Sequence, residues 1–300
     1  HHRFPREQHA VRRLATQGFV GFGRRHRDDR HAECLGDRNT GAADADLFIN
    51  LSGGAWFWRD EYARIPRRVF IDSDPAFTQL AIAKAEPWYV AFFQQFTHLF
   101  TFGSNIGTPA CAVPVGEFTW HKTWQPVTLD DWRTDQPFRD RFTTVMTWQI
   151  ESFADVGGNK DQEFVKYIDL PSRTRQPFEL AINGPQKLLQ EHGWGTLPAM
   201  EVSRTADLYR EFIQQSRAEF GVARDLNVRL RSGWFSDRST CFLASGRPVL
   251  HQDTGFDAWL PAAGNPRVLW RFAAGGLRKL RPMPLCRLEA QGGDGINAGP

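Results

Sequence analysis

The residues best suited to chemistry fall in one stretch, Ser232 to Phe256, which reads SGWFSDRSTCFLASGRPVLHQDTGF. It divides into a loop holding Ser232 and Gly233, a short amphipathic helix starting near Ser236, a Gly246-Arg-Pro-Val-Leu turn into a buried strand, and the polar loop Gln252-Asp253-Thr254-Gly255. Loop, helix start, strand and polar loop in that order build anion and ribose sites in α/β domains. The first N–H groups of a helix have no partner inside it and carry partial positive charge, so they can hold a phosphate. Ser236, Asp237, Arg238 and Ser239 stand at that helix start; a capping Ser236 or Asp237 with an incidental arginine beside it would look the same in sequence. Gly233, lacking a side chain, would let a ligand approach. Asp253, Thr254 and Gly255 would open into a cleft at the strand's carboxyl end, where open α/β sheets bind ligands, although a plain turn accounts for the same residues.

Further candidates lie upstream. Lys160 follows Gly157-Gly158-Asn159, a run whose backbone can come close to a diphosphate while the ammonium reaches it; a solvated surface lysine is the alternative. Asp72-Ser73-Asp74 directly follows an apolar run. Paired carboxylates suit Mg²⁺ or Mn²⁺, but the triplet is common by chance and no metal is expected here. Asp72 is instead a candidate domain-lining carboxylate or general base, with His121 and His98 as other possible bases, since imidazole titrates near neutral pH. Gly103-Ser104-Asn105 also ends a strand and would line the same cleft.

Strands alternating with helices must position these groups. Asp46–Ser52, Arg68–Ser73 and His98–Gly103 are apolar runs of strand length. Pro75 to Phe96 has helical spacing, interrupted near Pro87. The Trp- and Pro-rich passage from Trp120 to Trp132 reads as an interdomain crossing. Phe142–Trp148 opens a second unit, followed by a helix from about Asp161. Phe178–Ile182, the region near Trp194, and Val228–Leu230 are further strands or short helices. Leu208 to Phe220 reads as one amphipathic helix, with Leu208, Phe212, Ile213 and Phe220 on a face. The alternation predicts parallel sheets.

The same stretch carries a resemblance. Leu243-Ala244-Ser245-Gly246-Arg247-Pro248-Val249, followed by Asp-Thr-Gly, resembles the nucleotide-sugar half of a GT-B glycosyltransferase of the group-1-like, spore-maturation-type branch. That family's segment runs Glu, seven residues, then Glu-Ala-Met-Ala-x-Gly-x-Pro-Val. Cys241 and Gly233 stand here at the two glutamate places, and Asp237, Arg238 and Ser239 are the candidate substitutes. The resemblance covers about Asp46 to Pro261. It implies two Rossmann-like domains facing across a cleft, a nucleotide-sugar donor as substrate, no other cofactor, no catalytic metal, and transfer of the sugar to an unknown acceptor. It places Asp72 and His121 on the acceptor side and Lys160 with the Ser232–Gly255 groups on the donor side. A non-catalytic nucleotide- or sugar-binding protein, or a sugar epimerase of the same shape, would show the same features.

Composition narrows the field. Three hundred residues with 41% hydrophobic content can build two cores. The expected organisation is an atypical Arg-rich segment at 1–43, an acceptor-side domain at 44–135, a donor domain at 136–262 and an atypical, disordered tail at 263–300. Eleven tryptophans and 24 phenylalanines are mostly core, with some free to stack on sugars or bases. A net charge of +3 suits an anionic donor and is too weak to argue for nucleic acid. Cys34, Cys111, Cys241 and Cys286 are widely spaced and read as free thiols of a reducing cytoplasm. No apolar run is long enough for a transmembrane helix. The Gly18–Gly23 glycine run follows no apolar strand, which argues against a dinucleotide loop. Both ends lose hydrophobic periodicity. They are expected to be out-of-frame or otherwise non-native sequence, so the fold would be incomplete there. Ordinary basic tails are the alternative, and retranslation of the coding DNA in the other two frames decides between them.

Overall fold

The computed structural model describes residues 45–84, 87–150 and 159–260, together with the backbone of two short strands at 20–23 and 269–272. Most calls on the two terminal segments therefore lie outside the described residues. Among the described residues, eleven strands form two sheets. The first runs β1 (Val20–Gly23), β2 (Leu47–Leu51), β3 (Arg67–Asp72), β4 (His98–Thr101) and β5 (Trp120–Lys122), in that spatial order. β1 is antiparallel to β2 and the other pairs are parallel. The second comprises β6 (Arg139–Thr147), β7 (Phe178–Asn183), β8 (Gly195–Pro198), β9 (Ser216–Gly221), β10 (Val249–Gln252) and β11 (Leu269–Phe272), all parallel.

Spatial order in the second sheet is β8-β7-β6-β9-β10-β11. Counted from β6, that is 3-2-1-4-5-6, the Rossmann order, whose direction of winding reverses between β6 and β9. The helices are α1 (Phe77–Ala83), α2 (Pro87–Phe93), α3 (Leu129–Trp132), α4 (Lys160–Phe164), α5 (Gln186–Glu191), α6 (Ala199–Ser203), α7 (Ala206–Gln214), α8 (Asp225–Arg229) and α9 (Asp237–Ala244). Parallel strands need such crossovers, because a tight hairpin cannot return the chain in the same direction. The chain is thus an α/β protein with two mainly parallel sheets, as the alternation predicts. Among the described residues no helix is long and apolar enough to cross a membrane.

The helical run from Pro75 to Phe96 does divide, with α2 starting at Pro87; proline lacks the N–H of a helix interior but fits a first turn. Two elements differ from expectation. The run from Leu208 to Phe220 is not one helix: α7 ends at Gln214, and β9 begins two residues later at the centre of the sheet. Phe220 therefore packs from a strand against Phe178 and Trp194. The passage from Trp120 to Trp132 begins with β5, which pairs with β4, before the chain leaves the first sheet.

Each sheet has its own aromatic core. Phe48, Tyr62, Phe70, Phe92, Phe93, Phe96 and Trp120 fill the first; Phe164, Tyr167, Phe178, Trp194 and Phe220 fill the second. A large apolar side chain fully buried this way contributes about 1.5–3 kcal/mol. Most described aromatic residues are therefore spent on stability.

The two sheets are joined through the turn that follows β4. Gly103 forms an antiparallel bridge with Trp234, and Ser104 Oγ donates to Gly233 O at 2.9 Å. Asn105 is the centre of the joint. Its N–H donates to Ser232 O at 3.0 Å. Its Nδ2 donates to Arg231 O at 3.2 Å and Gly255 O at 3.0 Å, and its Oδ1 accepts from Trp259 Nε1 at 2.7 Å. Ala112 N–H adds a bond to Leu230 O, and Gln125 Nε2 reaches Phe235 O. Leu226 and Leu230 from the second half pack on the first core.

Asn105→Ala would leave buried carbonyls and the Trp259 N–H without partners, each costing about 1–3 kcal/mol. We expect a loss of about 2–4 kcal/mol in urea unfolding, with the single transition resolving into two as the sheets uncouple. A change within about 0.5 kcal/mol, the range of an ordinary surface substitution, would show that Asn105 does not join them.

Candidate functional site

In sheets of this order ligands bind outside the carboxyl ends of the strands, at the reversal point. Here that point lies between β6 and β9, and the chain brings a cluster of charge to it. Lys160 comes from the start of α4, the crossover that leaves β6. Arg224 follows β9 in the chain. Glu219 lies on β9, and Arg238 lies on the first turn of α9. Arg238 bridges the two switch strands: its Nε donates to Glu219 Oε1 at 2.6 Å and its Nη1 to Val145 O of β6 at 2.6 Å. Both partners are buried, Arg238 at 7% exposure and Glu219 at 0%. Removing one partner from such a pair costs about 3–5 kcal/mol, because the other charge is left buried and unmatched.

Lys160 is the unspent charge. It is half-buried, and among the described residues its ammonium has no hydrogen-bond or ion-pair partner. Burial pushes its pKa from the ordinary 10.5 to about 7, and the Arg238 and Arg224 guanidiniums push the same way, with partial relief from Glu219 and Asp237. A lysine held in this state favours an arriving anion, which would restore the charge balance.

His251, on β10, completes the cluster from below. It is fully buried and its Nδ1 donates to Gln252 O at 2.8 Å, which leaves Nε2 as an acceptor with no partner among the described residues. Burial lowers its pKa to about 4, against the upward pull of Glu219, so the ring is neutral at pH 7. Trp234, Phe235 and Phe256 surround it. Glu219 Oε2 and Ser239 Oγ are also buried without partners. Three orphaned polar atoms in one region are unusual, since buried polar groups are nearly always bonded.

The sequence candidates fall into three groups. Lys160, Asp237, Arg238 and Ser239 are at the switch point; Asp237 is exposed and its carboxylate acts electrostatically on Lys160. Arg238 is already held in the fold by Glu219. Ser236 precedes α9 without capping it by its side chain; its Oγ contacts Asp237 Oδ1 at 3.3 Å.

A second group serves the joint between the sheets. Ser232 is buried and bonds Asn227 Oδ1 at 2.7 Å. Thr254 is buried and bonds Trp234 O at 2.6 Å. Gly233 and Gly255 lack side chains for a reason other than ligand approach. Both have positive φ, +74° and +87°, and an added Cβ would lie 2.5 Å from Ser104 Oγ or from Asn105 Nδ2 respectively. Asp253 caps its own turn by accepting from Gly255 N–H at 2.8 Å and lies 4.0 Å from Arg231.

The third group belongs to the first sheet. Asp72, the candidate general base, is held tightly at the end of β3. It is buried and accepts from Thr78 Oγ1 (2.8 Å), Gln79 Nε2 (2.9 Å), Thr101 Oγ1 (3.0 Å) and Asp74 N (3.2 Å). Burial raises its pKa to about 6, with those hydrogen bonds opposing the rise. Four bonds fill a carboxylate's acceptor capacity, so Asp72 ties α1 and β4 to the end of β3. Asp74 points elsewhere, 3.7 Å from Arg224, so the two carboxylates do not form one cation site. His121 is exposed on β5, with its ring 5.4 Å from Phe100 and 6.4 Å from His98. His98 is likewise exposed, at the start of β4.

Sequence reasoning missed Glu219, because β9 was hidden behind the α7 periodicity, and His251, whose strand was read but whose burial is a property of the fold. The alternation of Ala218, Phe220 and Val222 is the signal that could have found the strand. No family model matches the chain, and no curated protein matches it.

The Lys160 shift sets a pH dependence. Its folded pKa is below its unfolded value, so between pH 7 and 10.5 the unfolded chain binds more protons and stability rises with pH. Lys160→Met removes the buried charge. The variant should be more stable than the parent at pH 7, with the difference closing toward pH 10.5 in thermal melts taken across that range. A difference independent of pH would show that Lys160 is an ordinary solvated lysine.

Proposed function

We propose that the chain is a glycosyltransferase that takes a nucleotide-sugar donor, with the donor diphosphate seated at Lys160 beside Arg238 and the first turn of α9. One observation carries this: a half-buried lysine with no partner among the described residues, its pKa lowered to about 7, at the reversal point of a Rossmann-ordered sheet. Cleavage of the sugar–phosphate bond leaves negative charge on the departing nucleoside diphosphate. Preorganised cations and helix N–H groups stabilise that charge most in a site shielded from water. Lys160, Arg238 and the N–H groups of α9 are the donors of that kind here. Metal independence comes from the GT-B resemblance of residues 243–249. The acceptor would enter from the side of the first sheet, with closure of the two halves excluding water. Asp72 belongs to the scaffold in this mechanism, and His121 stays a candidate base on the acceptor side.

A second reading is a nucleotide- or sugar-binding protein without turnover. It is favoured by the use of Ser232, Gly233, Thr254 and Gly255 in the joint between the sheets, and by Cys241 and Gly233 at the places of the family glutamates.

Thermal shift and product release against UDP-, GDP- and dTDP-sugars separate the outcomes. One nucleotide class should raise the melting temperature and release nucleoside diphosphate when a competent acceptor is supplied. Lys160→Ala should weaken that donor at least tenfold, about 1.4 kcal/mol. Binding without release would establish the second reading, and no stabilisation by any of the three would refute both.

A further inference from the structure

We propose that Glu219 is a positioning residue: it occupies Arg238 in place of a ligand phosphate and hands the guanidinium over when a diphosphate binds. This rests on the diphosphate site proposed above and concerns how that site is kept when empty.

The pair is built below its capacity. Arginine and carboxylate bind most strongly as a two-bond fork, yet Glu219 reaches Arg238 through a single bond, Oε1 to Nε at 2.6 Å. The second oxygen, Oε2, is buried with no hydrogen-bond partner among the described residues. On the arginine, Nη1 is anchored to Val145 O of β6, and Nη2 has no hydrogen bond among the described residues. The anchor holds the guanidinium between the two switch strands while Nη2 stays available. A phosphate oxygen arriving beside Lys160 therefore meets an arginine already positioned and half released.

Glu219 is also placed to remain in the cluster after the exchange. Its charge acts on Lys160, Arg238 and His251 alike. A Cβ built on Gly221 would lie 3.1 Å from His251 Cδ2 and 3.3 Å from Glu219 Oε1, so the two side chains flank that glycine on one face of the sheet. The absent side chain at Gly221 leaves the carboxylate room beside the imidazole. A carboxylate needed only to neutralise a buried arginine would be expected to engage both oxygens.

Competition of this kind reverses the usual sign of a mutation. Deleting a carboxylate that merely holds the site together weakens ligand binding. Deleting one that competes with the ligand strengthens it. Inorganic pyrophosphate, titrated calorimetrically into the full chain at fixed ionic strength, is the probe. Glu219→Gln should bind pyrophosphate at least tenfold more tightly than the parent, and its melting temperature should rise more on adding pyrophosphate. Glu219→Asp keeps the charge but withdraws it by one methylene, and should tighten binding two- to threefold. It carries the test if the glutamine variant does not fold. Detectable binding by the glutamine variant alone would also support the exchange. Equal or weaker binding by the variants, with the parent still binding, would overturn the role of Glu219 and leave the diphosphate site standing. No binding by parent or variants would overturn both.

Discussion

A carboxylate at 0% exposure in the central strand of a parallel sheet has to be matched by charge, and Glu219 is matched by Arg238 across the line between β6 and β9. Much of the second half follows from that pairing. Arg238 must lie on the first turn of α9 to reach both Glu219 and Val145 O, which fixes the start of α9 over the carboxyl ends of the switch strands. His251 must stay neutral beside the pair, and burial lowers its pKa accordingly. Lys160 completes the field as a cation with no ion-pair partner among the described residues. Buried ion pairs of this kind can often be replaced by apolar residues at no cost in stability, so the pair is weak evidence for stability alone.

The joint between the sheets places a second constraint on the same loops. Asn105 spends its amide on Arg231 O, Gly255 O and Trp259, and the two glycines that meet this turn have no space for a side chain. The loops after β9 and β10 are thus shared. One part closes the joint, and another, carrying Arg224 and Arg238, borders the charge cluster. This division explains why residues with the composition of a ligand loop, Ser232, Gly233 and Asp253-Thr254-Gly255, are mostly engaged by protein.

How much of this was legible in the sequence depended on the kind of signal. β2, β3, β4 and β6 are apolar runs bounded by polar residues and read directly as strands. The break at Pro87 and the helix after Ser236 follow from local backbone chemistry. β9 did not announce itself, because Ser216-Arg-Ala-Glu-Phe carries two charges and follows α7 after one residue, so the helical pattern absorbed it. Losing β9 also hid Glu219, the carboxylate that holds Arg238. Asn105 was visible only as a cleft residue, since nothing local marks a side chain whose partners lie more than 120 positions away in the chain. Lys160 was legible through its glycine-rich approach, but its lack of a partner is a property of the folded state alone.

The most direct measurement is the pKa of Lys160 itself, followed by NMR of carbon-labelled lysine with Lys160→Arg for assignment. The account predicts a value near 7 in the free protein and an upward move of more than about one unit on saturation with nucleoside diphosphate, as an opposite charge arrives within contact. A value at the ordinary 10.5, unchanged by the nucleotide, would contradict it.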